Sequence, residues 1–195
     1  MGGFTIINDF SNYPVKSMSA LGRLAIWSQR RQGWWLLFSA SVGLLLVALY
    51  FQYAMGLAPC VMCIYQRTAV IGVMLASLVG LINPQFGGLR WAGMSIWGLS
   101  SVWGLLKAIE HVDIQTASNL LFQSCAIEPE FPAWMPLHHW LPSIFAATGD
   151  CGNIDWQWLS FSMPQWMIVI LSLFSLVWLV VLLANTYQLI TQKTA

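Results

Sequence analysis

Charge is scarce in this chain. Lys, Arg, Asp and Glu together make up 8% of the 195 residues and apolar residues 58%, against about 25% and about 45–50% in an ordinary soluble domain. So few charged side chains cannot cover a water-facing surface, and lipid must cover part of it. With a net charge of +1 there is no basic patch to release counterions from phosphates, which argues against nucleic acid as a partner. Cysteine is sparse too, at four, and only Cys60 and Cys63 stand close together. Cys125 and Cys151 do not make a second short-spaced pair, which argues against a structural zinc site. No internal repeat or second domain is visible. Residues 1–33 lack the apolar core of a signal peptide and read as a loosely ordered cytoplasmic segment.

What is present is long and apolar. Residues 34–55 carry no charge and open on Trp34-Trp35, enough to cross the hydrocarbon core as a helix. Arg30 and Arg31 stand directly before this run, so the positive-inside rule places the N-terminus in the cytoplasm. Leu57-Ala58-Pro59-Cys60 has the look of a lipoprotein cleavage site, but the run before it is longer than a signal core of about 7–15 residues, and further spans follow. A second span is expected over 64–82, where Gly72, Ala76 and Gly80 repeat at the four-residue spacing that lets helix backbones approach closely. Asn83-Pro84 ends it, and Gly87-Gly88-Leu89-Arg90 is expected to form a short cytoplasmic turn. Spans over 91–109 and 165–190 complete the set, with Lys107 snorkelling to the interface and Lys193 closing the chain on the cytoplasmic side. The expectation is an all-α four-transmembrane-helix bundle, both termini inside, with one membrane domain over 34–190.

The long connection, 110–162, lies outside. Six of the seven acids fall between 110 and 155, along with two cysteines and all three histidines. Phe131, Trp134, Leu137, Leu141, Ile144 and Phe145 predict one or two short surface helices broken at Pro136 and Pro142. His138 and His139 are expected to face solvent.

All four cysteines reach the same face, so topology allows two disulfides. A Cys125–Cys151 link would stabilise by about 3.5 kcal/mol through chain entropy and a Cys60–Cys63 ring by only about 2 kcal/mol. The short ring is the poorer staple, and Cys-x-x-Cys is a common redox arrangement because the second thiol resolves a mixed disulfide as it forms. Cys63 opens a helix, whose dipole favours the thiolate. Arg67 lies one turn further on the same face. It reads either as an anchor or as a functional cation, since arginine at that depth is costly. Taken alone, His111 reads as a helix cap or surface group.

Pro59-Cys60-Val61-Met62-Cys63-Ile64-Tyr65-Gln66-Arg67 after Phe51-Gln52-Tyr53 resembles the DsbB family of bacterial membrane thiol oxidases. So do Glu110-His111, Gly149-Asp150-Cys151 and Met163-Pro164-Gln165-Trp166. The resemblance covers about 34–190; the first 33 residues form a longer leader than the family's. It implies a four-helix bundle in a bacterial inner membrane, with a periplasmic loop between helices 3 and 4. The implied activity is reoxidation of the periplasmic disulfide donor DsbA, with electrons passed to a membrane quinone, ubiquinone or menaquinone. It further implies that Cys125 is attacked by DsbA, that Cys151 is its partner, and that Cys60–Cys63 reoxidises that pair. Cys63 then faces the quinone, with Arg67 and His111 at the quinone site. The alternatives are a four-span scaffold stapled by structural disulfides and a DsbI-type oxidase with a dedicated donor.

Overall fold

The computed structural model describes Ile26, residues 28–117, Ala126 and residues 128–193. The expectations placed on residues 1–25 and on Cys125 lie outside the described residues. In chain order the elements are α1 (Arg31–Tyr53), α2 (Val61–Ile82), α3 (Gly87–Thr116), α4 (Leu137–Trp140), α5 (Pro142–Phe145), β1 (Gln157–Trp158), β2 (Phe161–Ser162) and α6 (Met163–Lys193). The protein is mostly helical. Three of the described helices are long and apolar enough to cross a membrane: Arg31–Tyr53, Val61–Ile82 and Met163–Thr191.

The long helix α3 is not among them, and its sequence says why. Between 91 and 109 it carries Trp91, Trp97 and Trp103, three glycines and three serines. These small residues serve helix contact. α3 packs between α2 and α6, while α1 packs on α2. Gly98 lies directly under the Trp178 ring and Gly104 against Ala69, and a Cβ at either glycine would overlap its neighbour. The Trp178 indole donates to Met94 O at 2.8 Å. Gly72 and Gly80, picked out by their spacing, meet Ser100 and Trp34 in the same way. One apolar core forms around Trp34, Val73, Met94, Trp97 and Val181. A second forms at the other end of the bundle, around Cys60, Val61, Met62 and Cys151.

Four local expectations need correction. Gly87-Gly88-Leu89-Arg90 is not a turn but the first turn of α3. The chain reverses over Asn83–Phe86, where Asn83 Oδ1 accepts the Gln85 and Phe86 N–H groups at 3.2 and 3.3 Å, an Asx turn that Pro84 favours. At its far end α3 runs on to Thr116. No proline or glycine breaks it after Gly104, so Glu110, His111 and Asp113 are helical and the connection begins at 117. The two short helices are separate single turns; Pro142 opens α5 at its first position rather than breaking a helix, and Trp134 lies before α4. His138 is half-buried, stacked on Phe131 at 5.8 Å, because the apolar loop folds back on itself; His139 is exposed.

The loop ends in a two-residue hairpin that sets the start of α6. Gln157 pairs with Ser162 and Trp158 with Phe161. Leu159 and Ser160 take φ of 53° and 66°, the positive values that a tight hairpin turn requires. Trp166 Nε1 donates back to Trp158 O at 3.1 Å.

Candidate functional site

Cys60 is the N-cap of α2. Its backbone is extended, and its sulfur accepts the Cys63 N–H at 3.3 Å. Capping by a side chain three residues before the accepted donor satisfies one of the unpaired N–H groups of the first turn. It also places Cys63 in that turn, with the two sulfurs 2.7 Å apart. Both are free cysteines. A disulfide needs about 2.05 Å, so little motion separates this pair from a bond.

The loop carrying Cys151 is fastened to the same point. Thr148 and Gly149 both donate their N–H to Pro59 O, at 2.9 and 3.0 Å. Gly149 passes so close to Ala58 O that a Cβ there would collide with it, which is why the motif has glycine at this position. Cys151, two residues on, is fully buried and disulfide-bonded. A ligating atom of His111 and the sulfurs of Cys60 and Cys151 all lie within 4.8 Å of one another. Three such atoms are a soft metal-binding set in principle, but the disulfide on Cys151 leaves one thiol and one imidazole.

His111 is neither a cap nor a surface group. It is 3% exposed, one ring nitrogen 3.6 Å from Cys60 Sγ and the other 3.2 Å from Gln66 Nε2. It stands beyond the 91–109 stretch. Burial lowers its pKa to about 4, against a raising contribution from the Cys151 backbone, so it is neutral at physiological pH. Cys60 is shifted the other way. Its hydrogen bond with Cys63, reinforced by burial, holds the thiol well above the usual range.

Arg67 follows Cys63 by one turn and is 7% exposed. Its Nη1 donates to Gln52 Oε1 at 2.8 Å and also to Ile144 O. Tyr53 Oη and Gln52 Nε2 donate to Ser143 O at 2.6 and 3.2 Å. The end of α1 and Arg67 thus tie down α5. Arg67 Nε is buried with no partner.

A cavity of about 310 Å³ lies between α1, α2 and α6 and is lined by Cys60, Cys63, Gln66, Arg67 and His111 at its polar end. Leu44, Val47, Ala48, Met167 and Ile170 form its apolar wall. The structure therefore brings Cys60, Cys63, Cys151, Arg67 and His111 together; Cys125 lies outside the described residues. Gln52 and Gln66 stand within the motif segments, but neither has a role of its own there. Each is an uncharged polar residue at the margin of an apolar run, the one signal that marked them.

The DsbB family (Disulfide bond formation protein DsbB) matches residues 30–181. This chain belongs to it. It is 58% identical over 142 residues to the Disulfide bond formation protein B of Pseudoalteromonas translucida, covering 72% of this chain and 83% of that protein. It is 52% identical over 152 residues to that of Pseudoalteromonas atlantica, covering 78% and 88%. Against the Idiomarina loihiensis protein of the same name it is 46% identical over 167 residues, 86% of this chain and 92% of that one. Membership and the apolar helices make this DsbB-family chain an integral membrane protein of the disulfide-forming class.

Proposed function

We propose that this protein is a membrane thiol oxidase that reoxidises a DsbA-like thioredoxin-fold donor through Cys125–Cys151 and passes the electrons, by way of Cys60–Cys63, to a membrane quinone. The observation that carries this reading is the position of the Cys60 sulfur. It stands between Cys151, on the loop, and Cys63, on the cavity wall.

In the proposed sequence a donor thiolate attacks Cys125, displacing Cys151 as a thiolate. Cys151 attacks the Cys60 sulfur of the oxidised Cys60–Cys63 pair, forming Cys151–Cys60 and releasing Cys63 as a thiolate. The donor's second thiolate attacks its mixed disulfide, leaving the donor oxidised and Cys125 reduced. Cys125 then attacks Cys151, which restores Cys125–Cys151 and releases Cys60. The net result is an oxidised donor and a reduced Cys60–Cys63 pair. Two electrons have moved from the donor, by way of the loop, to the cavity wall.

The cavity suits a quinone. Its wall is apolar, as an isoprenoid ligand requires, and Arg67, a donor-rich side chain suited to a carbonyl, lines its polar end. Arg67 and His111 would hold the ring, and Cys63 would face it. When bound, the quinone supplies a two-electron acceptor. The chain's own part is to hold Cys63 in the first turn of α2, where the helix dipole favours its thiolate, and to keep Arg67 beside it.

Four membrane spans fit this arrangement. Cys60, Cys151, His111 and the start of α6 share one end of the bundle, the end that carries the acids. Arg30, Arg31 and Arg90 lie at the opposite end. The positive-inside rule then puts both termini in the cytoplasm and the cysteines in the periplasm of a bacterial inner membrane.

The purified protein is expected to oxidise a reduced DsbA-like donor with stoichiometric reduction of a soluble quinone analogue. Donor oxidation with no quinone requirement would contradict the proposal.

A further inference from the structure

Gln66 has no role in the exchange sequence, yet it is buried at 4% exposure in the centre of the site. It lies on α2 and reaches across to His111 on α3, Nε2 to Nδ1 at 3.2 Å. The contact crosses a helix pair whose spacing is fixed by Ala69 against Gly104, so the two side chains are held in register. The other ring nitrogen, Nε2, faces Cys60 Sγ at 3.6 Å. A neutral imidazole has one donor and one acceptor nitrogen. An amide N–H pointed at Nδ1 makes that nitrogen the acceptor and leaves the proton on Nε2.

We propose that Gln66 is a positioning residue that holds His111 in the tautomer whose Nε2–H faces the Cys60 sulfur. The consequence for exchange rests on the oxidase reading above. Negative charge develops on Cys60 when Cys125 attacks Cys151 and the Cys151–Cys60 bond breaks. The electron pair of that bond goes to Cys60, and an N–H aimed at the sulfur stabilises it as a leaving thiolate. A bare nitrogen there would oppose it. The second residue in such a pair, which fixes the ring by its far nitrogen, is a recurrent device for selecting a histidine tautomer.

Other titratable groups near the ring are Cys60 and Cys63 at the start of α2, Arg67 further along it, Glu110 on α3, and Asp150 and Asp155 on the loop. α6 and the cavity face of α1 contribute no titratable group to the cavity lining. A change in pH profile assigned to His111 must therefore be read by a probe of the ring itself.

The test is ¹⁵N NMR of the full chain in detergent micelles, labelled at histidine, with the His138 and His139 resonances assigned by their loss in His138→Gln and His139→Gln. Wild type is expected to show His111 protonated at Nε2 only, between pH 6 and 8. In Gln66→Leu the resonance should move towards a mixture of tautomers, with donor oxidation slowed about tenfold. Gln66→Glu, which can only accept from Nδ1, should hold the ring as imidazolium. Its rate relative to wild type should then fall as pH rises and the ring loses its second proton. An Nδ1–H tautomer in wild type, or a His111 spectrum unchanged in both variants, overturns the assignment. The tautomer is read without turnover, so a wild-type protein that failed to oxidise the donor would refute the oxidase reading while leaving the Gln66 contact to stand or fall on its spectrum.

Discussion

Cys63→Ser is expected to abolish donor-driven quinone reduction, lowering turnover by about a thousandfold or more, as losing a reacting nucleophile does. The reason is geometric. Among the described residues Cys63 is the one sulfur that lies beside Cys60, at 2.7 Å, and also opens onto the cavity. A serine hydroxyl keeps the space and the helix start but cannot form or break a sulfur bond, so no electron pair crosses from Cys60 to the cavity. Fold and cavity should survive, since Cys63 caps nothing and it is Cys60 that accepts the first-turn N–H. Assay of quinone-analogue reduction with reduced donor, alongside a thermal-unfolding control, checks this. Turnover within tenfold of wild type would remove Cys63 from the electron path.

The second large effect is expected at Arg67. Arg67→Met keeps the length and apolar stem of the side chain but removes its donors and charge. A hydrogen bond from a charged group is worth about 1.5–3 kcal/mol, so the KM for a quinone analogue should rise by about 10- to 100-fold. Arg67 also holds Gln52 and Ile144 O, so α5 should loosen and the loop become more open to proteolysis. Arg67→Lys should recover only part of the affinity, because an ammonium cannot reproduce the guanidinium's several fixed donors. A KM unchanged in both variants would leave Arg67 with the structural task alone.

Much of this site was legible in the chain, for identifiable reasons. The Cys60–Cys63 spacing, the apolar runs on either side and the arginine one turn on are local features, and local features survive into the fold. The second span, expected over 64–82, begins one turn earlier at Val61, because Cys60 caps the helix. His111 was a different case. Its meaning depends on α3 continuing seven residues past the apolar stretch and on its packing against α2, a long-range fact that no window around His111 contains. Only the family resemblance set His111 apart from a cap or surface group, and the structure buries it beside Cys60. Gln66 was hidden for the same cause, since its partner lies 45 residues away. The turn at Gly87–Arg90 was misread because glycines suggest turns, whereas here they begin a helix that must approach its neighbours closely. α3 is less apolar than the other long helices because its small residues meet its neighbours, Gly98 against Trp178 of α6 and Gly104 against Ala69 of α2.

The placement of Cys151 could not have been read from sequence spacing. It rests on two N–H groups converging on Pro59 O and on the absence of a Cβ at Gly149. Those contacts make the central claim sharp: electrons leave the loop through Cys60, not through Cys63. The direct test is disulfide mapping of Cys125→Ser, in which Cys151 has lost its proposed loop partner while Cys60 and Cys63 remain. Oxidised, alkylated and digested without reduction, this variant should yield a Cys60–Cys151 linked peptide, with Cys63 recovered as the alkylated thiol. A Cys63–Cys151 linkage, or an alkylated Cys151 beside an intact Cys60–Cys63 disulfide, would contradict it.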